Sequence, residues 1–250
     1  MPDDDVIQGL WIGEALSTME RLSVASFLAH GHEYHLYTYE NVKNVPPGTR
    51  IRDANEILPA CAIFQYREQK SFSGFANYFR YKLLLERGGW WCDLDVVALR
   101  PFDFSAEYVF GEEATRNLQP VVSSGVIKAP KGACLLRFAW ERCLGRDPRT
   151  LQWGETGPRL MHEAVQRFGL GAHVLPPRTF YPLPSHQWYE SLFPNRWKEF
   201  DERTYAVHLW HQMWRENELD KDELYAPRCL YERLKGKYSL PVGQPAVTLD

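Results

Sequence analysis

The segment from Phe79 to Phe102, FRYKLLLERGGWWCDLDVVALRPF, constrains the fold more than any other part of the chain. Its first half has apolar residues at helical spacing and stops at Gly88–Gly89, where a glycine suits a left-handed carboxyl-terminal cap. The apolar run Trp90–Leu99 then predicts a buried strand, closed by Pro101. A helix that leads directly into a buried strand is typical of layered α/β folds.

The amino-terminal region predicts the same fold class. Two apolar segments, Gly9–Gly13 and Glu33–Tyr39, flank the helical pattern Ala15–Ala29. Such a strand–helix–strand unit builds parallel sheets. Later segments predict two more strands and two more helices, at Tyr108–Phe110, Val121–Ala129, Cys134–Leu144 and Pro158–Phe168. We therefore predict a single α/β domain over residues 1–250, with a mainly parallel sheet flanked by helices and an irregular carboxyl-terminal third.

Composition and charge exclude several classes of protein. The formal net charge of −3 argues against a nucleic-acid-binding protein, which normally has a basic bias. The first residues, MPDDDVIQGLWIG, are acidic where a signal peptide would be basic. No apolar run approaches the ~18 residues of a membrane-spanning helix. These features predict a cytoplasmic protein without a transmembrane segment, and peripheral membrane contact stays open.

The acidic pair Asp93–Leu94–Asp95 is the first candidate for chemistry. Residues two apart on a strand point to the same side, so we expect the two carboxylates to lie together. A hard cation such as Mn²⁺ or Mg²⁺ relieves the repulsion between them and commonly bridges protein carboxylates to substrate phosphates. The alternative is that these carboxylates form a solvated turn.

The helix before this strand carries two further candidates, Asn77 and Arg80. They are three residues apart, so their side chains lie on one face of the helix. An arginine within the apolar run ANYFRYKLLL requires an anionic partner, because an unpaired buried charge is costly. That partner is either an aspartate of the acidic pair or a group of a bound ligand, such as a phosphate or a sugar hydroxyl.

Arg80, Gly88–Gly89 and Asp93–Leu94–Asp95 with the following Pro-Phe resemble the sugar-binding DXD region of retaining glycosyltransferases. These include the α-1,4-galactosyltransferases, the α-1,6-mannosyltransferases and, more distantly, the glucosylating bacterial toxins. The resemblance extends to Trp11–Ile12–Gly13, to Thr156–Gly157–Pro158 and to His208–Leu209–Trp210. It is strongest over about residues 7–160 and weak between about 170 and 204.

The resemblance implies a GT-A fold and a divided donor site. About residues 1–130 would bind the nucleotide sugar, and about residues 131–250 would form the acceptor side. Arg80, Asp93 and Asp95 would be catalytic, while Asp95 and His208 would hold Mn²⁺ or Mg²⁺. The predicted donor-binding residues are Trp11, Asn77, Arg80, Asp93, Ser124 and Gly157. A UDP-sugar is the favoured donor, with a GDP-sugar as the alternative. The toxin-like members have an aspartate where this chain has Asn77, which bears on the identity of the sugar.

Other residues have two interpretations each. Trp11 is either a stacking platform for the base or part of the core, and His208 is either a ligand or a hydrogen-bonded core histidine. Glu112 and Glu113 are either acceptor-side bases or a solvated turn. Three aromatic residues either line an acceptor groove or pack in a proline-rich region: Trp188, Tyr189 and Trp197.

The predicted function is metal-dependent, retaining transfer of a hexose from a nucleoside-diphosphate sugar to a saccharide acceptor, in the synthesis of cell-surface polysaccharide. Two alternatives remain. A metal-dependent phosphohydrolase would also use clustered aspartates, and a catalytically inactive relative would bind sugar nucleotides without turning them over.

Overall fold

The computed structural model describes residues 5–114, 120–196 and 199–239. Nine strands are formed within these ranges: β1 (Ile7–Trp11), β2 (Tyr34–Thr38), β3 (Arg50–Asp53), β4 (Gly89–Cys92), β5 (Val96–Ala98), β6 (Val109–Ala114), β7 (Pro120–Ala129), β8 (Val174–Leu175) and β9 (Ala206–His208). Six α-helices accompany them: α1 (Thr18–Ala29), α2 (Ser73–Arg87), α3 (Cys134–Leu144), α4 (Pro158–Arg167), α5 (His211–Glu216) and α6 (Leu230–Lys237).

Seven of the strands form one mixed sheet in the order β3-β2-β1-β4-β7-β6-β8. The pairs β1–β2, β1–β4, β2–β3 and β6–β8 are parallel, whereas β7 runs antiparallel to both β4 and β6. Strands β5 and β9 form a separate antiparallel pair. The predicted α/β class with a mainly parallel sheet is confirmed, and so is the amino-terminal strand–helix–strand unit.

Apolar side chains cover both faces of the sheet. Residues of α2, α3 and α4 pack against one face, where Phe79 meets Trp91 of β4. Helix α1 packs against the other face, where Phe27 lies beside Tyr34 of β2. A third cluster joins α1 to the carboxyl-terminal helices around the fully buried Trp214. Successive residues of β4 alternate between the two faces, as expected of a central strand.

The predicted strand Trp90–Leu99 is wrong as a single element. The chain leaves the main sheet after Cys92, turns through Asp93–Leu94–Asp95, and then forms β5 against β9. The backbone N–H of Asp93 still donates to the Gly125 carbonyl of β7 at 2.9 Å. Asp93 and Asp95 are therefore brought together by a turn and not by the alternation of a strand.

Two other features of the fold differ from expectation or add to it. Strand β3 was not predicted, because its four side chains are all exposed and show no apolar alternation. The carboxyl-terminal third is irregular as predicted, with 3₁₀ segments, the short strands β8 and β9, and the short helices α5 and α6 within its described residues. No helix of the described residues is long and apolar enough to cross a bilayer.

Gly88 provides a test of the junction between α2 and β4. It follows α2 with φ of 71°, and a Cβ atom there would lie 2.6 Å from the Lys131 backbone nitrogen. We expect Gly88→Ala to destabilise the protein by about 2 kcal/mol or more, because it adds a backbone clash to the strain of positive φ. Gly132→Ala is the matched control, since Gly132 has φ of 79° and open space around its Cβ position. Urea denaturation measures both; equal losses would contradict the steric argument.

Candidate active site

The predicted site residues gather at one edge of the main sheet. Trp11 ends β1, and Asp93 follows β4, which runs parallel to β1. The carboxyl ends of these strands therefore open on the same side of the molecule. Ligands of open α/β sheets bind in the crevice at this edge.

Arg80 lies in a closely fitted position between α2 and the acidic turn. It is 3% exposed, and its Nη2 donates to Asp93 Oδ1 at 2.9 Å. Its Nη1 donates to the Ser124 carbonyl oxygen, and its guanidinium carbon lies 4.9 Å from the centre of the Trp91 ring. Of the two partners left open by the sequence, the structure shows the aspartate.

Trp91 is a member of this cluster that the sequence analysis missed. Its Nε1 donates to Asp93 Oδ1 at 2.8 Å, so the indole both orients the carboxylate and covers the Arg80 guanidinium. The available signal was its position two residues before Asp93. Tryptophan in an apolar run is most often a core residue, and this one is also 1% exposed.

Asp95 is held by the segment around β9. Its Oδ1 lies 2.9 Å from His208 Nε2, and its Oδ2 accepts a hydrogen bond from the His211 backbone N–H at 2.8 Å. Its own carbonyl oxygen accepts from the Leu209 N–H at 2.8 Å. These contacts join residues more than 100 positions apart in the sequence, and they bring His208 to the acidic turn.

Burial and mutual contacts shift the pKa values of Asp95, His208 and Asp93. Burial opposes the charge on Asp95, but His208 and the His211 N–H hold the pKa of this carboxyl below its usual range. Burial likewise opposes the charge on His208, while Asp95 raises its pKa. Burial and the nearby Asp95 raise the pKa of Asp93, although Arg80 opposes this change. Arg80 and protonated His208 thus supply the positive charge that acts on the acidic pair.

Asp93, Asp95 and His208 each offer one ligand atom, and these three atoms lie within 4.8 Å of one another. Two carboxylate oxygens and one imidazole nitrogen form a donor set that Mn²⁺ accepts. His208 Nδ1 is buried without a hydrogen-bond partner among the described residues. The residues present therefore fit a divalent cation.

A second group of predicted residues lies on the Arg80 side of the acidic turn. Asn77 is 5% exposed, and its Nδ2 donates to Thr156 Oγ1 at 3.3 Å. A Cβ atom at Gly157 would lie 3.2 Å from Asn77 Nδ2 and 3.4 Å from Ser124 Oγ. The glycine therefore permits close approach of the segment before α4 to α2 and β7, and it brings these polar groups together.

Trp11 lies at the same edge but apart from this group. Its side chain is partly buried, and Lys221 Nζ lies 5.6 Å from the centre of its ring. Lys221 also pairs with Glu20 at 2.5 Å, which joins the loop before α6 to the first turn of α1. Lys221 is a second residue that the sequence analysis missed, since only the tertiary fold brings it to β1.

The outlying aromatic candidates have different outcomes. Trp188 is 8% exposed and packs against Trp214, so the core interpretation is correct for it. Tyr189 is 44% exposed, and its ring contacts Phe193 instead of a residue of the acidic turn. Trp197 lies outside the described residues.

Comparison with known proteins shows similarity to glycosyltransferases over part of the chain. Residues 149–238 match the family model described as the alpha 1,4-glycosyltransferase conserved region. Lactosylceramide 4-alpha-galactosyltransferase of Rattus norvegicus is 27% identical over 111 residues, which are 39% of this chain and 29% of that protein. The same-named protein of Homo sapiens is 32% identical over 74 residues, covering 24% of this chain and 21% of its own length.

The fold agrees as well. The solved structure of the PaToxG glycosyltransferase superposes with a TM-score of 0.50 at 13% identity, covering 94% of this chain and 87% of that one. The chain therefore has the fold of a solved glycosyltransferase. Residues 149–238 are similar to the conserved region of the alpha 1,4-glycosyltransferases, a resemblance that the sequence predicted.

The distribution of this similarity differs from expectation. The sequence motifs placed the strongest resemblance over residues 7–160, whereas the family model matches residues 149–238, including the segment 170–204 that looked weakest. The matched region contains Gly157 and His208, two of the predicted site residues. The chain spans less than a third of the length of the rat and human relatives. The names of those relatives therefore do not establish the substrates of this chain.

Proposed function

We propose that this protein is a metal-dependent retaining glycosyltransferase that moves a hexose from a nucleoside-diphosphate sugar to a saccharide acceptor. The observation that carries the proposal is the convergence of Asp93, Asp95 and His208 beside the buried Arg80. A cation site next to a fixed guanidinium provides two positive groups where a diphosphate would leave. Electrostatic stabilisation of developing charge is usually the largest contribution to such catalysis.

Each part of the site has a proposed role. Asp95 and His208 would hold the cation, and Asp93 would contact the donor sugar and ribose while Arg80 keeps its carboxylate in place. Asn77, Ser124 and Gly157 would form the wall against the transferred sugar. Trp11 would stack on the nucleobase. A bound Mn²⁺ would act as a Lewis acid that neutralises the departing diphosphate.

Retention of configuration is consistent with attack on the face from which the diphosphate leaves. In this reaction the bond from the anomeric carbon to the diphosphate oxygen breaks and a bond to the acceptor oxygen forms. The hydroxyl proton of the acceptor passes to the departing diphosphate oxygen. Arg80 is buried and held by its hydrogen bonds, so its charge would act on the departing group with little reorganisation.

The named activity of the relatives suggests the first substrates to test. Their names state transfer of galactose to lactosylceramide. We therefore propose UDP-galactose as the first donor and a lactose-terminated saccharide or glycolipid as the first acceptor. Assembly of cell-surface polysaccharide, the sequence-based proposal, would use the same site with a different acceptor.

Calorimetric titration with UDP and GDP, each with and without Mn²⁺, tests the donor site. We expect UDP to bind at least about tenfold more tightly with Mn²⁺, a difference of about 1.4 kcal/mol, because the cation would bridge the diphosphate to the acidic pair. A panel of UDP- and GDP-hexoses, assayed for hydrolysis and for transfer to lactose, then reports activity and donor choice together.

The products separate the proposal from its alternatives. A glycosyltransferase releases the intact nucleoside diphosphate, whereas a phosphohydrolase releases inorganic phosphate or a nucleoside monophosphate. An inactive relative would bind UDP and turn over no donor of the panel. If neither nucleotide binds under any metal condition, the proposed function is wrong.

A further inference from the structure

Glu113 is a carboxyl group near the proposed donor site to which that site assigns no role. It lies on β6 opposite Val121 of β7. Strand β7 pairs with β4 only as far as Cys92 and Val126, so the first residues of β7 and their partners on β6 extend past the end of β4. Glu113 therefore stands over the same edge of the sheet as Asp93.

The surroundings of Glu113 are those of a ligand-binding group. The Ser123 hydroxyl lies near its carboxyl group, and the charges of His208 and Asp93 act on it. Burial raises the pKa of Glu113, and the negative charge of Asp93 adds to this, while His208 and Ser123 oppose it. The hydroxyl of Tyr181 is buried nearby and lacks a hydrogen-bond partner among the described residues.

Glu113 is separate from the proposed cation site. The ligand atoms that lie within 4.8 Å of one another belong to Asp93, Asp95 and His208, and Glu113 is not part of this group. Within the described residues Glu113 also forms no ion pair. A partly buried carboxyl group can accept more than one hydrogen bond, and ligand hydroxyls would provide donors for it.

The order of strands in the sheet indicates which ligand this is. Along the edge, Trp11 lies on β1, the acidic turn follows β4, Ser124 lies on β7 and Glu113 lies on β6. A donor bound as proposed would place its base at β1, its diphosphate at β4 and its sugar at β7. The position at β6 is then the next one beyond the transferred sugar.

We propose that Glu113 is an acceptor-binding residue whose carboxyl group accepts a hydrogen bond from the acceptor hydroxyl that attacks the donor sugar. This inference rests on the proposed glycosyltransferase function and adds the residue that orients the incoming saccharide. Orientation of the attacking group lowers the barrier without a change in donor binding.

Glu113→Gln tests the proposal, with Glu163→Gln as the matched control. Glu163 lies on α4 with its side chain 49% exposed and paired with Arg142, so it carries the same chemistry away from the acidic turn. With the donor and acceptor that the wild-type protein uses in the panel above, we expect Glu113→Gln to lower kcat/KM for the acceptor by about 10- to 100-fold, the effect of losing a charge-assisted hydrogen bond. Donor hydrolysis and the Kd for UDP with Mn²⁺ should change less than about threefold.

Glu113→Asp keeps the charge on a shorter side chain and should recover part of the acceptor kcat/KM lost in Glu113→Gln. A merely structural role would instead lower donor hydrolysis, acceptor transfer and thermal stability together. Unchanged acceptor kinetics in Glu113→Gln, or an equal loss of UDP binding, would overturn the inference and leave the proposed function standing. If the wild-type protein neither binds UDP nor turns over any donor, the proposed function fails and this inference fails with it.

Discussion

Replacing Arg80 with alanine is expected to lower the free energy of unfolding by about 3 kcal/mol, because it leaves Asp93 without its cation in a mostly buried position. The side chain of Arg80 is 3% exposed and that of Asp93 is 28% exposed, so solvent compensates only part of the loss. The substitution also removes the contact with Trp91 and the hydrogen bond to the Ser124 carbonyl. Such a change is a large fraction of the stability of a typical domain.

Arg142→Ala is the matched control for this effect. Arg142 also donates to a carboxylate at 2.9 Å, that of Glu163, and its guanidinium lies 5.2 Å from the Phe138 ring. The two side chains of this pair are 51% and 49% exposed, so we expect a loss of no more than about 1 kcal/mol. Urea denaturation measures both variants. Equal losses would show that burial of the Arg80 pair does not determine its contribution.

Asp95→Asn is expected to lower donor turnover by at least about 100-fold, since it removes a charged oxygen from the proposed cation site. Substitution of groups that only support a metal ligand typically costs 10- to 100-fold in affinity or activity, and Asp95 would be a ligand itself. The same variant should lose most of the Mn²⁺-dependent gain in UDP affinity measured by calorimetry. The amide can still accept the His211 N–H hydrogen bond, so the turn should keep its conformation.

Asp201→Asn is the control for the acidic substitution. Asp201 pairs with Arg203 at 2.9 Å, but its side chain is 47% exposed and lies outside the acidic turn. We expect unchanged turnover and unchanged Mn²⁺ dependence. If Asp95→Asn behaves like Asp201→Asn in both assays, Asp95 is not a metal ligand.

The sequence predicted the architecture better than the local geometry of the site. The helix Cys134–Leu144 has the predicted bounds, and the strand–helix–strand start is present with shifted ends. Both follow from the periodic spacing of buried apolar residues, a pattern that is visible among neighbouring residues of the sequence. All four side chains of β3 are exposed and show no such pattern, so only the pairing of this strand with β2 defines it.

For the site, too, the sequence predicted the residues better than the way in which they come together. Arg80 was predicted to need an anionic partner because burial of a lone charge is costly, and the structure shows Asp93 in that position. The acidic pair was predicted to share one face of a strand. The residues do converge, but they do so through a turn, because the chain leaves β7 after Cys92 and begins a separate pair of strands.

The sequence by itself determined the α/β class, the buried Arg80 and the presence of two closely spaced carboxylates, because these depend on residues near one another in the chain. Only the tertiary structure decided that His208 meets Asp95, that Trp91 orients Asp93, and that Glu113 lies on β6 at the edge of the sheet that holds the acidic turn. These contacts depend on strand order and on where the antiparallel β7 extends past β4. Neither is encoded in local periodicity, since both arise from the pairing of distant segments in one sheet.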